Sequence, residues 1–296
     1  MTGDRDRWAR WLLHDRFAGD EAALERMLRQ LEPIRDRVLD AARIRDGDTV
    51  LDVGAGDGLI GFGALERSEP DGVTLFCDVS AELLDTCREI ARSLDVTDRC
   101  RFIQTRAEHL DGIPDANVDA VVLRSVLIYV EDKAAAFDAF HRVLRPGGRL
   151  SLFEPINRTM QRLNSGTVFG YDARSIRDLV ERIRGGFNEA VGGDSGPMLG
   201  FDEVDLVRAA DQAGFVKVDA EVRIVQRSKA RLGPTDWETF LAQRPNPLAP
   251  TVGEAIAASL SENEVARLRE HLEPQVREGT GRSFLVGCFL DAERPG

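Results

Sequence analysis

The stretch Val50–Gly58, VLDVGAGDG, constrains this chain more than any other. Its first residues are apolar and β-branched, the composition of a strand buried on both faces. Alternating glycines then follow at Gly54, Gly56 and Gly58. Glycine accepts a positive φ and has no Cβ, so the backbone can turn sharply and approach a ligand closely. A helical pattern begins at once, over Leu59–Glu66. Strand, glycine turn and helix in that order place a nucleotide-like ligand between the strand end and the helix start.

Two patterns share this arrangement. Gly56-Asp-Gly58-Leu-Ile-Gly61 fits the G-x-G-x-x-G fingerprint of NAD(P) sites, with Asp78 at a suitable distance for a ribose. The run also fits D-x-G-x-G-x-G, with Asp52 ahead of the first glycine. The pieces downstream separate the two. Val73–Asp78 (VTLFCD) is a second strand ending in an acid. Arg101–His109 is a third strand with a polar corner, and Val118–Leu123 is a fourth. Phe140–Leu152 (FHRVLRPGGRLSL) is a helix end, a Pro-Gly-Gly turn and a fifth strand. Over residues 48–154 this order resembles a class I S-adenosylmethionine (SAM)-dependent methyltransferase. Dehydrogenases do not usually carry the Pro-Gly-Gly turn.

The resemblance implies an α/β fold with a Rossmann-like, seven-stranded, mostly parallel sheet. Phe215–Gln226 and Arg282–Asp291 supply the last two strands, an antiparallel pair. Residues 1–46 are helical in pattern and read as an N-terminal cap. Residues 47–296 form the SAM-binding domain, with lid insertions at about 155–200 and 230–280.

It also implies a cofactor site. Asp52 holds the glycine loop or the methionine amino group. Gly54 and Gly56 turn backbone amides toward the methionine end. Asp78 accepts from both ribose hydroxyls. Val79 lies against adenine, Ala107 donates a backbone N–H to the ring, and Glu108 accepts from its exocyclic amine. Arg124 offers a backbone carbonyl to the methionine ammonium.

Methyl transfer needs alignment above all, and a general base adds about 10²–10⁴-fold where a proton must leave. Glu154, ending the fifth strand, is a candidate to bind a substrate amine or accept a proton, or else to pair with an arginine. His14, in a helix with Trp8, Trp11 and Phe17, is the other candidate base, though a lone helical histidine more often packs. Trp11, Asn157 and Tyr171 are the candidate substrate contacts.

The net charge of −12 argues against nucleic acid as a partner. No apolar run reaches the roughly 18 residues that span a bilayer. The charged N-terminus lacks a signal-peptide core. Four scattered cysteines and four distant histidines suggest no metal site and fit a reducing cytoplasm. The elaborated lid regions resemble those of bacterial biosynthetic methyltransferases of specialised metabolism, which implies a small organic acceptor. The tryptophans suggest an aromatic or indole-like one, and a homo-oligomer stays open. Two rivals remain. An NAD-dependent oxidoreductase would need a hydride-transfer acid–base pair, and no Tyr-x-x-x-Lys is present. A non-catalytic SAM-binding protein would keep the loop and lose the chemistry.

Overall fold

A computed structural model describes residues 6–13, 21–228, 233–234 and 236–296. Its centre is a seven-stranded sheet in the order β3-β2-β1-β4-β5-β9-β8. The strands are β1 (Thr49–Val53), β2 (Val73–Asp78), β3 (Cys100–Gln104), β4 (Val118–Arg124), β5 (Leu144–Pro155), β8 (Val216–Ser228) and β9 (Arg282–Glu293). The first five are parallel, and β9 runs antiparallel between β5 and β8. That is the expected sheet, including the antiparallel closing pair.

The central strands are apolar because helices cover both faces. In β1 every residue after Thr49 is buried. The helices are α1 (Arg7–Leu13), α2 (Glu21–Ala41), α3 (Leu59–Arg67), α4 (Ala81–Ser93), α5 (Lys133–Val143), α6 (Asn157–Leu163), α7 (Arg177–Ala190), α8 (Glu203–Gln212), α9 (Trp237–Ala242), α10 (Val252–Ser259) and α11 (Glu262–Glu278). Local capping sets several starts. The Ser80 side chain accepts from the Leu83 amide at 3.0 Å and Asp132 from the Ala135 amide at 2.9 Å, satisfying donors that the helix leaves unpaired.

Helix α1 lies over the strand ends, where Trp8, Trp11 and Leu12 border the central cavity. The second half of α2 packs on the sheet instead. Val38, Leu39 and Ala42 are buried with Val50, Ile60 and Phe289. The two lid insertions, far apart in sequence, share a single small core. A hairpin of β6 (Thr167–Val168) and β7 (Tyr171–Asp172) joins α7, α9, α10 and α11 around Leu179, Phe240, Ile256 and Leu272. Ion pairs at the rim fix α7 to α11: Arg182 to Glu264 at 2.5 Å and Arg267 to Asp178 at 3.0 Å.

Register brings the carboxyl ends of the parallel strands to one edge. Val53 lies beside Cys77 and Leu123, and Asp78 beside Gln104. The sheet order reverses between β1 and β4, and a crevice opens there.

Candidate active site

One cavity of about 1030 Å³ occupies that crevice and runs beneath the lid. It lies at the upper end of the usual range for a small-molecule site, so a cofactor and an acceptor fit together.

At the sheet end the wall is backbone and short polar side chains. Gly54 and Gly56 both have positive φ, +65° and +58°. A Cβ on Gly54 would stand 2.5 Å from a methyl of Val126, so both conformation and space exclude a side chain. The Gly56 amide donates to Asp78 Oδ2 at 3.0 Å, and the Ser80 amide donates to Oδ1 at 2.9 Å. The Asp78 carboxylate thus ties the glycine loop to the start of α4 while bordering the cavity. Burial raises its pKa, and those amides oppose the rise. Val79, Ala107, Glu108 and Arg124 also border the cavity. Glu108 is paired with Arg106 at 3.0 Å. The Arg124 guanidinium reaches Ser125 Oγ at 3.4 Å.

Asp52 is placed differently from its expected role. It is 1 % exposed and lies behind the loop, off the cavity wall. Its Oδ2 has no hydrogen-bond partner. Burial pushes its pKa up to about 8, the Gly61 amide opposes this, and Asp78 adds to it. Asp52 therefore supports the loop and α3 from inside.

Glu154 is a second correction. It is fully buried and absent from the cavity wall. Its Oε1 accepts from the amides of Val126 and Leu127 at 2.8 and 2.9 Å, and its Oε2 from Ile128 at 3.2 Å. Burial pushes its pKa up to about 7, against those amides and the Lys133 charge. The carboxylate fastens the turn after β4, the segment that carries Ser125 and Val126 against Gly54. It cannot touch an acceptor.

Tyr171 is the third. Its ring is wholly buried in the lid core, edge-on to Phe240 with centroids 5.8 Å apart, and it does not reach the cavity. Trp11 and Asn157 do border the cavity. Trp11 Nε1 donates to the Arg244 carbonyl at 3.0 Å, joining α1 to the second insertion. His14 lies outside the described residues.

Sequence reasoning overlooked several wall residues. Tyr129 borders the cavity with Trp8 edge-on against it at 4.8 Å. The lid end is lined from α6 and its C-cap by Asn157, Met160, Gln161 and Asn164, and from α7 and its C-cap by Val180, Ile183, Arg184, Phe187, Asn188 and Val191. Each set recurs at three- and four-residue spacing, one face of a helix. That period was visible in the sequence. Which face met the cavity was not.

The donor set distinguishes the two cofactor patterns. Asp6 and Asp78 sit on the wall at the glycine loop, and Asp52 lies behind it. The start of α3 is served by Asp57, whose Oδ1 lies 3.4 Å from the Leu59 amide, and by Asp52. A pyrophosphate at the start of α3 would meet Asp57 where a dinucleotide site offers free helix amides. A ligand with a sulfonium and an ammonium suits that acid and Asp6 on the wall. The residues present therefore fit SAM: Asp78 for the ribose, Val79, Ala107 and Glu108 for adenine, and the loop for the methionine end.

Comparison with known proteins agrees. A methyltransferase-domain family model matches residues 44–178. The ubiquinone/menaquinone biosynthesis C-methyltransferase UbiE of Haemophilus ducreyi is 31% identical over 159 residues, covering 49% of this chain and 61% of that protein. The chain thus spans about three fifths of the length of this curated relative. Among solved structures, YcgJ of Bacillus subtilis superposes with a TM-score of 0.55 at 14% identity, over 90% of this chain and 99% of that one. Geranyl diphosphate C-methyltransferase of Streptomyces coelicolor, bound to Mg²⁺, geranyl diphosphate and S-adenosylhomocysteine, superposes with a TM-score of 0.52 at 17% identity, over 95% and 88%. At such identities the likeness to the solved structures is one of fold. Over residues 44–178 the chain is thus similar to methyltransferase domains, and it shares the Rossmann-like fold of the solved structures.

Proposed function

We propose that this protein transfers the methyl group of SAM to a small, largely apolar acceptor held under the lid. The observation that carries the reading is the continuity of one cavity from Gly54 and Asp78 to the lid. When bound, SAM supplies a methyl group already activated on a sulfonium. Asp78 fixes the ribose, and the Ala107 amide with Glu108 selects adenine. Gly54 and Gly56 leave room for the methionine end. Trp8, Trp11, Phe187 and Phe284 on the wall favour a ring-bearing body, including an indole-like one, of the kind found in specialised metabolism.

No histidine stands on the described wall, and its carboxylates, Asp6, Asp78 and Glu108, are all at the cofactor end. A described wall of this kind supports alignment and exclusion of water at the lid end, which suits an acceptor that needs no base at the moment of attack. Carbon methylation, as in the name of the curated relative, meets that condition. No helix among the described residues is long and apolar enough to cross a membrane. With the acidic net charge, this supports action in the cytoplasm on a small molecule rather than on nucleic acid.

Calorimetry tests the cofactor. S-adenosylhomocysteine should bind in the micromolar range, with no comparable binding of NAD. Incubation with SAM and a panel of indoles, phenols and prenylated quinols, read by product mass, tests the transfer. Tight NAD binding with silent S-adenosylhomocysteine would overturn the assignment. Cofactor binding with no methylated product across the panel would favour a non-catalytic binding protein.

A further inference from the structure

The lid wall carries one charge. From Pro155 onward, the described residues bordering the cavity are apolar or neutral except Arg184. Its surroundings are set by α7. That helix presents Ile183 and Phe187 to the same space.

Arg184 also differs from its neighbours in pairing. On the same helix Arg177 meets Glu181 at 2.7 Å and Arg182 meets Glu264 at 2.5 Å. Arg184 meets no carboxylate among the described residues. Its nearest acceptors are the carbonyls of Asn164 and Thr167, both at 3.4 Å. Those contacts are long, and a guanidinium has five N–H donors, so most of its capacity is unused. Half-burying an uncompensated charge in an apolar chamber costs stability unless a ligand supplies the partner.

Beside it lies a neutral polar pair. Gln161 Nε2 donates to Asn188 Oδ1 at 3.0 Å. One cation with neutral amides nearby suits a single negative charge. A diphosphate would bring more charge than one guanidinium balances.

We propose that the acceptor is an amphipathic monoanion, a carboxylic acid with an apolar body, and that Arg184 selects it. The inference rests on the reading of this cavity as an acceptor site. Arg184 receives the carboxylate, the apolar wall takes the body, and the far end of the molecule is left facing the cofactor loop.

The test compares octanoate with octanol, probes alike in length and different in charge. Affinities are measured by calorimetry for the wild type, Arg184→Gln and Arg184→Lys, with and without saturating S-adenosylhomocysteine. The wild type should bind octanoate at least about tenfold more tightly than octanol, the scale of a charged hydrogen bond. Arg184→Gln should remove the preference while octanol and S-adenosylhomocysteine bind as before. Arg184→Lys should keep part of it. Where Arg184→Gln unfolds, Arg184→Met serves in its place. Equal binding of the two probes by the wild type overturns the proposal, as does a preference that survives loss of the charge. A failure of S-adenosylhomocysteine to bind would instead overturn the cofactor assignment, and the probe comparison on the free protein would still decide the role of Arg184.

Discussion

The two ends of the cavity are built by different means. The cofactor end consists of residues that directly follow β1, β2, β3 and β4. Their positions are set by the parallel register and by backbone hydrogen bonds, such as Gly56 to Asp78 at 3.0 Å and Thr105 to the Asp78 carbonyl at 3.1 Å. The lid end consists of side chains from α6, α7 and β9; α7 belongs to a separate core that joins residues about a hundred positions apart, while α6 and β9 pack with the core of the sheet. One end is rigid because the sheet cannot shift without breaking its ladders. The other depends on side-chain packing, which tolerates exchange of apolar residues of similar volume. Under the proposed function, cofactor choice resides in the sheet and acceptor choice in the lid.

The strongest way to break this division is at Glu154, where the structure places support rather than chemistry. Glu154→Ala leaves three buried amides without an acceptor. It should destabilise the protein by about 3 kcal/mol or more, read by urea unfolding. Glu154→Gln keeps an acceptor oxygen and should lose less. A normal unfolding curve with abolished turnover would restore Glu154 as a catalytic group.

Asp78 comes next. Asp78→Ala should weaken S-adenosylhomocysteine by about 1.5–3 kcal/mol, roughly 10–150-fold. Affinity for a lid-bound probe should change far less. Equal losses at both ends would mean that the loop and the lid move as one unit.

How much of this was legible follows the same division. The strands of the sheet, the glycine turn and Asp78 could all be read, because each is encoded within a few neighbouring residues. Asp52 and Glu154 could be placed at strand ends, but not on the correct side of the wall. Successive strand residues point to opposite faces, and the last one or two can turn toward ligand or core. Tyr171 and the shared lid core were not legible. Tyr171 meets Phe240 only because two distant insertions pack together. Arg184 carried a helical spacing in sequence, and nothing local showed which face was empty.

A smaller effect concerns pH. Burial sets Asp52 at about 8 and Glu154 at about 7, both above their ordinary values. In the window from their unfolded values up to these folded ones, the folded state binds protons that the unfolded chain has lost. Stability contributed by these groups is thus largest in mild acid, falls as pH rises through about 4–8, and levels off above. Asp52→Asn removes the larger share. Urea unfolding from pH 5 to 8 should show a shallower decline for the variant than for the wild type. Identical slopes would mean that Asp52 is ionised in the folded protein.

The smallest expected effect is at Tyr171, and it sharpens the boundary of the acceptor site. Its hydroxyl is buried without a hydrogen-bond partner, so the folded protein bears a desolvation cost that no contact repays. Tyr171→Phe removes the hydroxyl and keeps the ring against Phe240. The variant should be as stable as the wild type or more stable by up to about 1 kcal/mol, since deleting an unsatisfied group is neutral to favourable. Turnover and acceptor KM should not move, because the ring lies inside the lid core and off the cavity wall. Thermal unfolding and steady-state kinetics with one methylated acceptor check both. A raised KM at unchanged stability would show that the hydroxyl reaches the acceptor, and would require the lid to repack on binding so that Tyr171 turns from its core into the cavity.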